Sequence, residues 1–388
     1  MTRLSLIKSL KKIDDLINRK VRKILNVRYI LFFIHNLMTF IHLYPLYLEL
    51  RKDSRNKIFF TSPSADLIKN LADPFFDLSP LWHNFISLQS TRWKKWDVIL
   101  CADYILPWYY RYSKFVQTFH GVAAKKTPEI SDYRFHPNLK KFDLIFFPNK
   151  SFLMEAVAKS LVSLENAFVT GLFVMDYLYS LSKMDKEALK KQLFLKHAVV
   201  RKRFSKIVMW APTFSSVDLS SWPFFENIVS NLASSLRDSL LIVKPHPNIF
   251  RKKSRIQFEN DLNALFPKKN YLVCYSDPYP FLVVSDLYIG DFSSLSFEYC
   301  FLKKPLIYLS LDKAEKVRIA DPDQYRLLLE ASYVINSVYD LSKVLQDVRH
   351  VTPSQQRAMK EIVSRYFQNI GHSSKYAAKI LRNHNLVF

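Results

Sequence analysis

The chain has 388 residues, 49% of them hydrophobic, and a formal net charge of +23. The length exceeds one ordinary core and points to two domains, and the apolar content excludes wholesale disorder. So basic a chain favours anionic partners: nucleic acid, lipid headgroups or phosphorylated small molecules.

The first fifty residues differ from the rest. Leu6, Leu10, Ile13, Ile17, Val21 and Ile24 follow one helical stripe, and basic residues cover the other faces. Tyr29 to Leu48 then runs twenty residues without a formal charge. That is long enough to span a bilayer, but His35, Asn36, His42 and Pro45 are costly or disruptive in hydrocarbon. The flanking positive charge would also send the remaining chain outside, and no small-residue cleavage site marks a signal peptide. Residues 1–50 therefore read as a basic amphipathic segment on an anionic membrane surface, which places the protein peripherally on the cytoplasmic face of the membrane. A helix packed on the protein's own core is the alternative.

Beyond Lys57 short strands alternate with helices. Strands are expected at 57–62, 97–101, 114–119, 142–147 and 167–170, then, after a basic connector from Lys183 to Lys206, at 206–211, 239–244, 271–275, 287–290 and 305–309. Helices are expected at 222–236, 278–284 and 294–303, and 311–388 reads as mostly helical. Such alternation implies parallel sheets covered on both faces. The expected fold is α/β: two Rossmann-like doubly wound domains, 51–182 and 206–388, facing a cleft.

In open parallel sheets ligands bind at the carboxyl ends of strands, and the polar clusters lie there. One strand ends in His120-Gly121, with Lys125 and Lys126 close behind. A second ends in Lys244-Pro245-His246-Pro247, where two prolines stiffen the histidine. A third closes on Ala211-Pro212-Thr213. The fourth runs through Gly290 into Asp291-Phe292-Ser293-Ser294 and a helix start, whose N–H groups and hydroxyls suit a phosphate. Only four glycines occur in the chain, and Gly121, Gly171 and Gly290 stand at strand-to-loop transitions. Glycine is needed there for positive φ or for close approach. There is no Walker lysine motif, dinucleotide fingerprint or zinc spacing. Cys101, Cys274 and Cys300 read as small core residues of a chain in a reducing compartment. Base-stacking motifs are absent too, so nucleic acid is not an expected partner.

The ordered set resembles the CDP-glycerol glycerophosphotransferase family, which makes teichoic-acid-like poly(glycerol phosphate) chains. The likeness runs from about 100 to 380. It rests on His-Gly-x-x-x-Lys-Lys at 120–126, Gly171 to Asp176, Ala-Pro-Thr at 211–213, Lys-Pro-His-Pro at 244–247, Ser-Asp…Asp-Phe-Ser-Ser at 285–294, and Gly371-His372-Ser373-Ser374. Ser215 replaces an arginine usual in the family, and Glu298 replaces an aspartate. The resemblance implies a GT-B arrangement, a CDP-glycerol or related CDP-polyol donor, a lipid-linked or polymeric acceptor, release of CMP, and neither cofactor nor obligatory metal. It implies that His120 is the base on the acceptor hydroxyl, and that His246 with the Ser293–Ser294 turn neutralises the donor phosphates. Gly121, Lys125, Lys126, Thr213, Lys244, Asp291, Ser373 and Ser374 complete the expected substrate contacts. A glycosyltransferase using a nucleotide sugar is the alternative enzyme, and a non-catalytic binder of anionic surfaces is the alternative outside enzymes.

Overall fold

The computed structural model describes residues 24–63, 83–92, 94–104, 113–126, 132–197, 199, 204–213, 220–236, 238–251, 254–266, 270–311 and 319–388. They form two compact units. One comprises the described residues up to His120 with 137–176 and 369–388; the other comprises 121–136 and 177–368.

The first unit is built on six parallel strands: β1 (Arg28–Phe33), β2 (Asn56–Thr61), β3 (Val98–Cys101), β4 (Lys114–Thr118), β5 (Leu144–Phe147) and β6 (Ala167–Val169), in the order β2-β1-β3-β4-β5-β6. β1 lies inside this sheet, paired in parallel with β2 and β3. Ile30, Leu31 and Phe32 are fully buried there, as expected of a strand covered on both faces. Asn36 then caps the helix Leu37–Leu50 in a capping box with Thr39, and Phe40, Ile41, Leu43, Leu46 and Leu50 point into the core.

This corrects the reading of residues 28–50 as part of a membrane-surface segment. They supply a central strand and a core helix, and the short β1 run followed by an N-cap carried that information. The stripe before Ile24 lies outside the described residues. Among the described residues no helix is long and apolar enough to cross a membrane.

The second unit holds β7 (Ile207–Ala211), β8 (Leu240–Val243), β9 (Tyr271–Val273), β10 (Leu287–Gly290), β11 (Leu306–Leu309) and β12 (Tyr333–Ile335), all parallel, in the order β12-β11-β10-β7-β8-β9. One core gathers Val208, Trp210, Leu241, Val243, Leu287, Ile289, Ile307 and Leu309 from alternate strand positions. They pack against Phe225, Ile228, Val229 and Leu232 of the helix Phe225–Ser235. The intervening Met209, Ile242, Tyr288 and Tyr308 are buried on the other face. The ten expected strands all form. β1 and β12 are additional.

Segment 121–136 is anchored within the second unit. The amide side chain of Gln324 donates to Val122 O and accepts from Ala124 N, at 2.8 and 2.9 Å. Arg134 pairs with Asp321 at 3.2 Å. Cys101, Cys274 and Cys300 are buried and form no disulfide among the described residues.

Candidate functional site

A doubly wound sheet opens a crevice where neighbouring strands send their connections to opposite faces, beyond the strands' carboxyl ends. In the first unit that switch point falls between β1 and β3. The residues just past β1, β3 and β4 are His35, Asp103 and His120, and His42 stands on the helix after β1. His120 Nδ1 lies 2.7 Å from the carbonyl oxygen of Ala102 and 3.4 Å from Asp103 Oδ1. A carbonyl only accepts, so Nδ1 carries the proton and the neutral ring leaves Nε2 as a bare lone pair. The side chain keeps 41% of its surface exposed. On the other side of the carboxylate, His35 Nε2 lies 4.0 Å from Asp103 Oδ2. The His42 ring stands edge-on to His120, centroids 6.3 Å apart. Burial holds His42 well below the ordinary histidine pKa and lowers that of His35.

In the second unit the switch point falls between β7 and β10. Thr213 follows β7 and Asp291 follows β10. Asp291 Oδ2 accepts from Thr213 N at 2.7 Å and Ser221 N at 3.0 Å, tying the two strand ends together. Burial raises its pKa to about 6. Oδ2 is thus held by the backbone while Oδ1 is buried without a hydrogen-bond partner among the described residues, and a carboxylate so placed shapes the site and repels an anion. Lys125 Nζ donates to Thr213 Oγ1 at 3.4 Å, and burial lowers its pKa to about 8 while the Asp291 charge favours the ammonium.

Ser293 caps the helix Ser294–Tyr299. The Ser294 hydroxyl accepts from Val122 N at 3.0 Å and Ala123 N at 3.2 Å, joining the post-β4 segment to the helix start. A Cβ on Gly121 would overlap that hydroxyl. The close approach that glycine was expected to permit is thus to Ser294. Gly171 takes positive φ, at 90°.

Beyond β8, Lys244 is buried and its Nζ donates to Pro245 O at 3.2 Å. His246 is half-buried, and its Nδ1 accepts from Asn248 N at 3.2 Å. A backbone N–H only donates, so here the neutral ring carries its proton on Nε2, the opposite tautomer to His120. Lys126 is exposed.

Gly121, Lys125, Thr213, Asp291 and Ser294 are thus brought together in the second unit. Ser373 and Ser374 are not part of that group. They start a helix of the first unit, where the Asp176 carboxylate accepts from both their N–H groups, at 3.0 and 2.8 Å, and from the Ser374 hydroxyl at 2.6 Å. An anion there would compete with a resident carboxylate, so they cap and anchor the returning chain. His35, His42 and Asp103 were not foreseen. The signal was present in His35 and His42, polar residues out of place in an uncharged run.

A family model described as CDP-Glycerol:Poly(glycerophosphate) glycerophosphotransferase matches residues 95–382. Over 183 residues the chain is 25% identical to the teichoic acid glycerol-phosphate primase of Bacillus subtilis, covering 46% of this chain and 44% of that protein. Over 166 residues it is 28% identical to the teichoic acid poly(ribitol-phosphate) polymerase of Bacillus spizizenii, covering 41% and 25%. The chain thus spans less than half the length of these curated relatives. The structure of the wall teichoic acid polymerase TagF matches with a TM-score of 0.70 at 18% identity, over 99% of this chain and 98% of that one. A UDP-GlcNAc 2-epimerase from Neisseria meningitidis matches with a TM-score of 0.57 at 16% identity, over 92% and 100%. Both are likenesses of fold.

Proposed function

The chain belongs to the CDP-glycerol:poly(glycerophosphate) glycerophosphotransferase family, and from that premise we propose that it transfers glycerol phosphate, or a related polyol phosphate, from a CDP-activated donor to a hydroxyl of a teichoic-acid-like or capsular polymer. His120 Nε2 takes the proton of the acceptor hydroxyl. The acceptor oxygen attacks the donor's β-phosphorus, the pyrophosphate P–O bond breaks, and CMP leaves with the electron pair. Transfer of this kind asks chiefly for alignment and charge stabilisation. The Lys125 ammonium, the Thr213 hydroxyl and the Nε2–H of His246 supply cationic and hydrogen-bonding partners for the phosphates, and Ser293 and Ser294 hold the turn beside them.

The observation that carries this reading is the pair of opposite tautomers. One imidazole keeps a free lone pair for a proton, and the other presents an N–H donor suited to a phosphate oxygen. The acceptor is lipid-linked or polymeric, and the protein works peripherally at the cytoplasmic face of the membrane, drawn there by its net charge of +23.

The test is incubation of the protein, in the presence of membranes, with labelled CDP-glycerol, CDP-ribitol, a CMP-sugar and a UDP-sugar. Label entering polymer from a CDP-polyol supports the proposal. Label entering only from a nucleotide sugar establishes the glycosyltransferase alternative. Salt-sensitive binding without turnover, unchanged in His120→Ala, establishes the non-catalytic one.

A further inference from the structure

The first unit places Asp103 between two imidazoles at the switch point of its sheet. Its Oδ1 faces His120 Nδ1 at 3.4 Å and its Oδ2 faces His35 Nε2 at 4.0 Å. The carboxylate side chain is only 16% exposed, so solvent screens it weakly. The Ala102 carbonyl at 2.7 Å already fixes which nitrogen of His120 bears a proton. Orientation alone therefore does not require Asp103, and the carboxylate adds a negative charge beside the ring. That charge matters only once the ring becomes positive.

We propose that Asp103 is the positioning residue that makes His120 an effective base: it stabilises the imidazolium formed when His120 accepts a proton at Nε2. The step balances simply. The acceptor hydroxyl loses its proton to Nε2, the ring gains one positive charge, Nδ1–H stays on Ala102 O, and Asp103 remains ionised throughout.

The groups facing His120 from the surrounding elements set the sign. From the end of β3 come Asp103 and the Ala102 carbonyl, both favouring the charged ring. From the helix after β1 comes His42, kept neutral by burial, which adds no opposing charge. From the end of β1 comes His35, which burial also biases toward the neutral form. Of these groups, both flanking imidazoles are biased toward the neutral form and Asp103 supplies the negative charge beside the ring.

This role rests on His120 being the base of the proposed reaction, so the test includes a readout that does not depend on turnover. Histidine-labelled full-length protein is titrated by NMR, with the His120 resonance assigned by its loss in His120→Gln. In Asp103→Asn the His120 midpoint falls by about one pH unit or more, the usual effect of losing an opposite charge at this range. The acidic limb of kcat/KM moves down with it, and kcat drops at least about tenfold while KM changes little. Asp103→Glu, which keeps the charge, restores most of the midpoint. An unchanged His120 midpoint in Asp103→Asn overturns the proposal. Should that variant fail to fold, the wild-type nitrogen shifts above the midpoint decide instead. They must report the Nδ1–H tautomer, and Nε2–H overturns the proposal. A ring that titrates as expected in a protein that transfers no polyol phosphate removes the functional reading and leaves the charge relation standing.

Discussion

Gly121→Ala is the substitution whose cost the structure defines most closely. The new methyl would occupy the position of the Ser294 hydroxyl. Ser294 then has to turn away, and the Val122 and Ala123 N–H groups lose their acceptor. Each lost hydrogen bond is worth about 0.5–1.5 kcal/mol, and overpacking adds about 1–3 kcal/mol. The sum is a destabilisation of about 2–6 kcal/mol of the second unit. Ser294→Ala alone removes the same two hydrogen bonds without the overlap. In that background Gly121→Ala meets a methyl at 3.0 Å, a tight contact that must give by a few tenths of an ångström, at a cost of about 1 kcal/mol, the low end of overpacking. The two changes are therefore strongly non-additive, with a coupling of about 1–5 kcal/mol, reaching or exceeding the range usual for contacting residues. Denaturant unfolding of the four proteins of the cycle measures this, provided the m-values agree. Additive costs would show that the glycine is required for some other reason, and the account of the 121–126 segment would be wrong.

The remaining predictions are shorter. His120→Ala and His246→Ala each lower turnover by at least ~100-fold, in line with general acid–base contributions, and near-wild-type rates reject both roles. Glu298 is buried, with one carboxyl oxygen bonded to Tyr279 Oη at 2.8 Å, and burial raises its pKa to about 8 from 4.5. Its folded form therefore binds more protons than the unfolded chain between those values, so stability falls as pH rises through the window. Glu298→Gln removes that slope, and an unaltered pH–stability profile contradicts the assignment. Deleting residues 1–50 takes out β1 and its following helix and leaves an insoluble or unfolded protein. A soluble, active truncation would refute the place given to β1.

Most of the second sheet was legible because its strands are compact apolar runs punctuated by proline, glycine and serine. Their carboxyl ends then located Thr213, His246 and the Asp291–Ser294 turn without further information. β1 was hidden because its apolar run continues straight into the helix Leu37–Leu50, and together they imitate one long uncharged segment. β12 was hidden for the opposite reason. With only Tyr333 to Ile335 at a sheet edge, it is too short to show a period. The histidine–aspartate array was beyond reach once β1 was misread, since His35 and Asp103 meet only when β1 and β3 pair. Ser373 and Ser374 were expected as substrate contacts from the family resemblance, and nothing local to them reveals that Asp176 occupies that helix start. Asp291 shows a related limit. A carboxylate in a polar turn reads as a ligand contact, whereas its two backbone donors, Thr213 N and Ser221 N, lie far off in sequence, beyond the end of β7.

The bond that breaks in the donor tests the central claim most directly. CDP-glycerol labelled in the β-phosphate is supplied with acceptor, and both the polymer and the released nucleotide are analysed. Cleavage of the pyrophosphate P–O bond carries the label into polymer and releases unlabelled CMP. Recovery of the label in CDP, with unlabelled glycerol in the polymer, would place the cleavage at the C–O bond and contradict the mechanism.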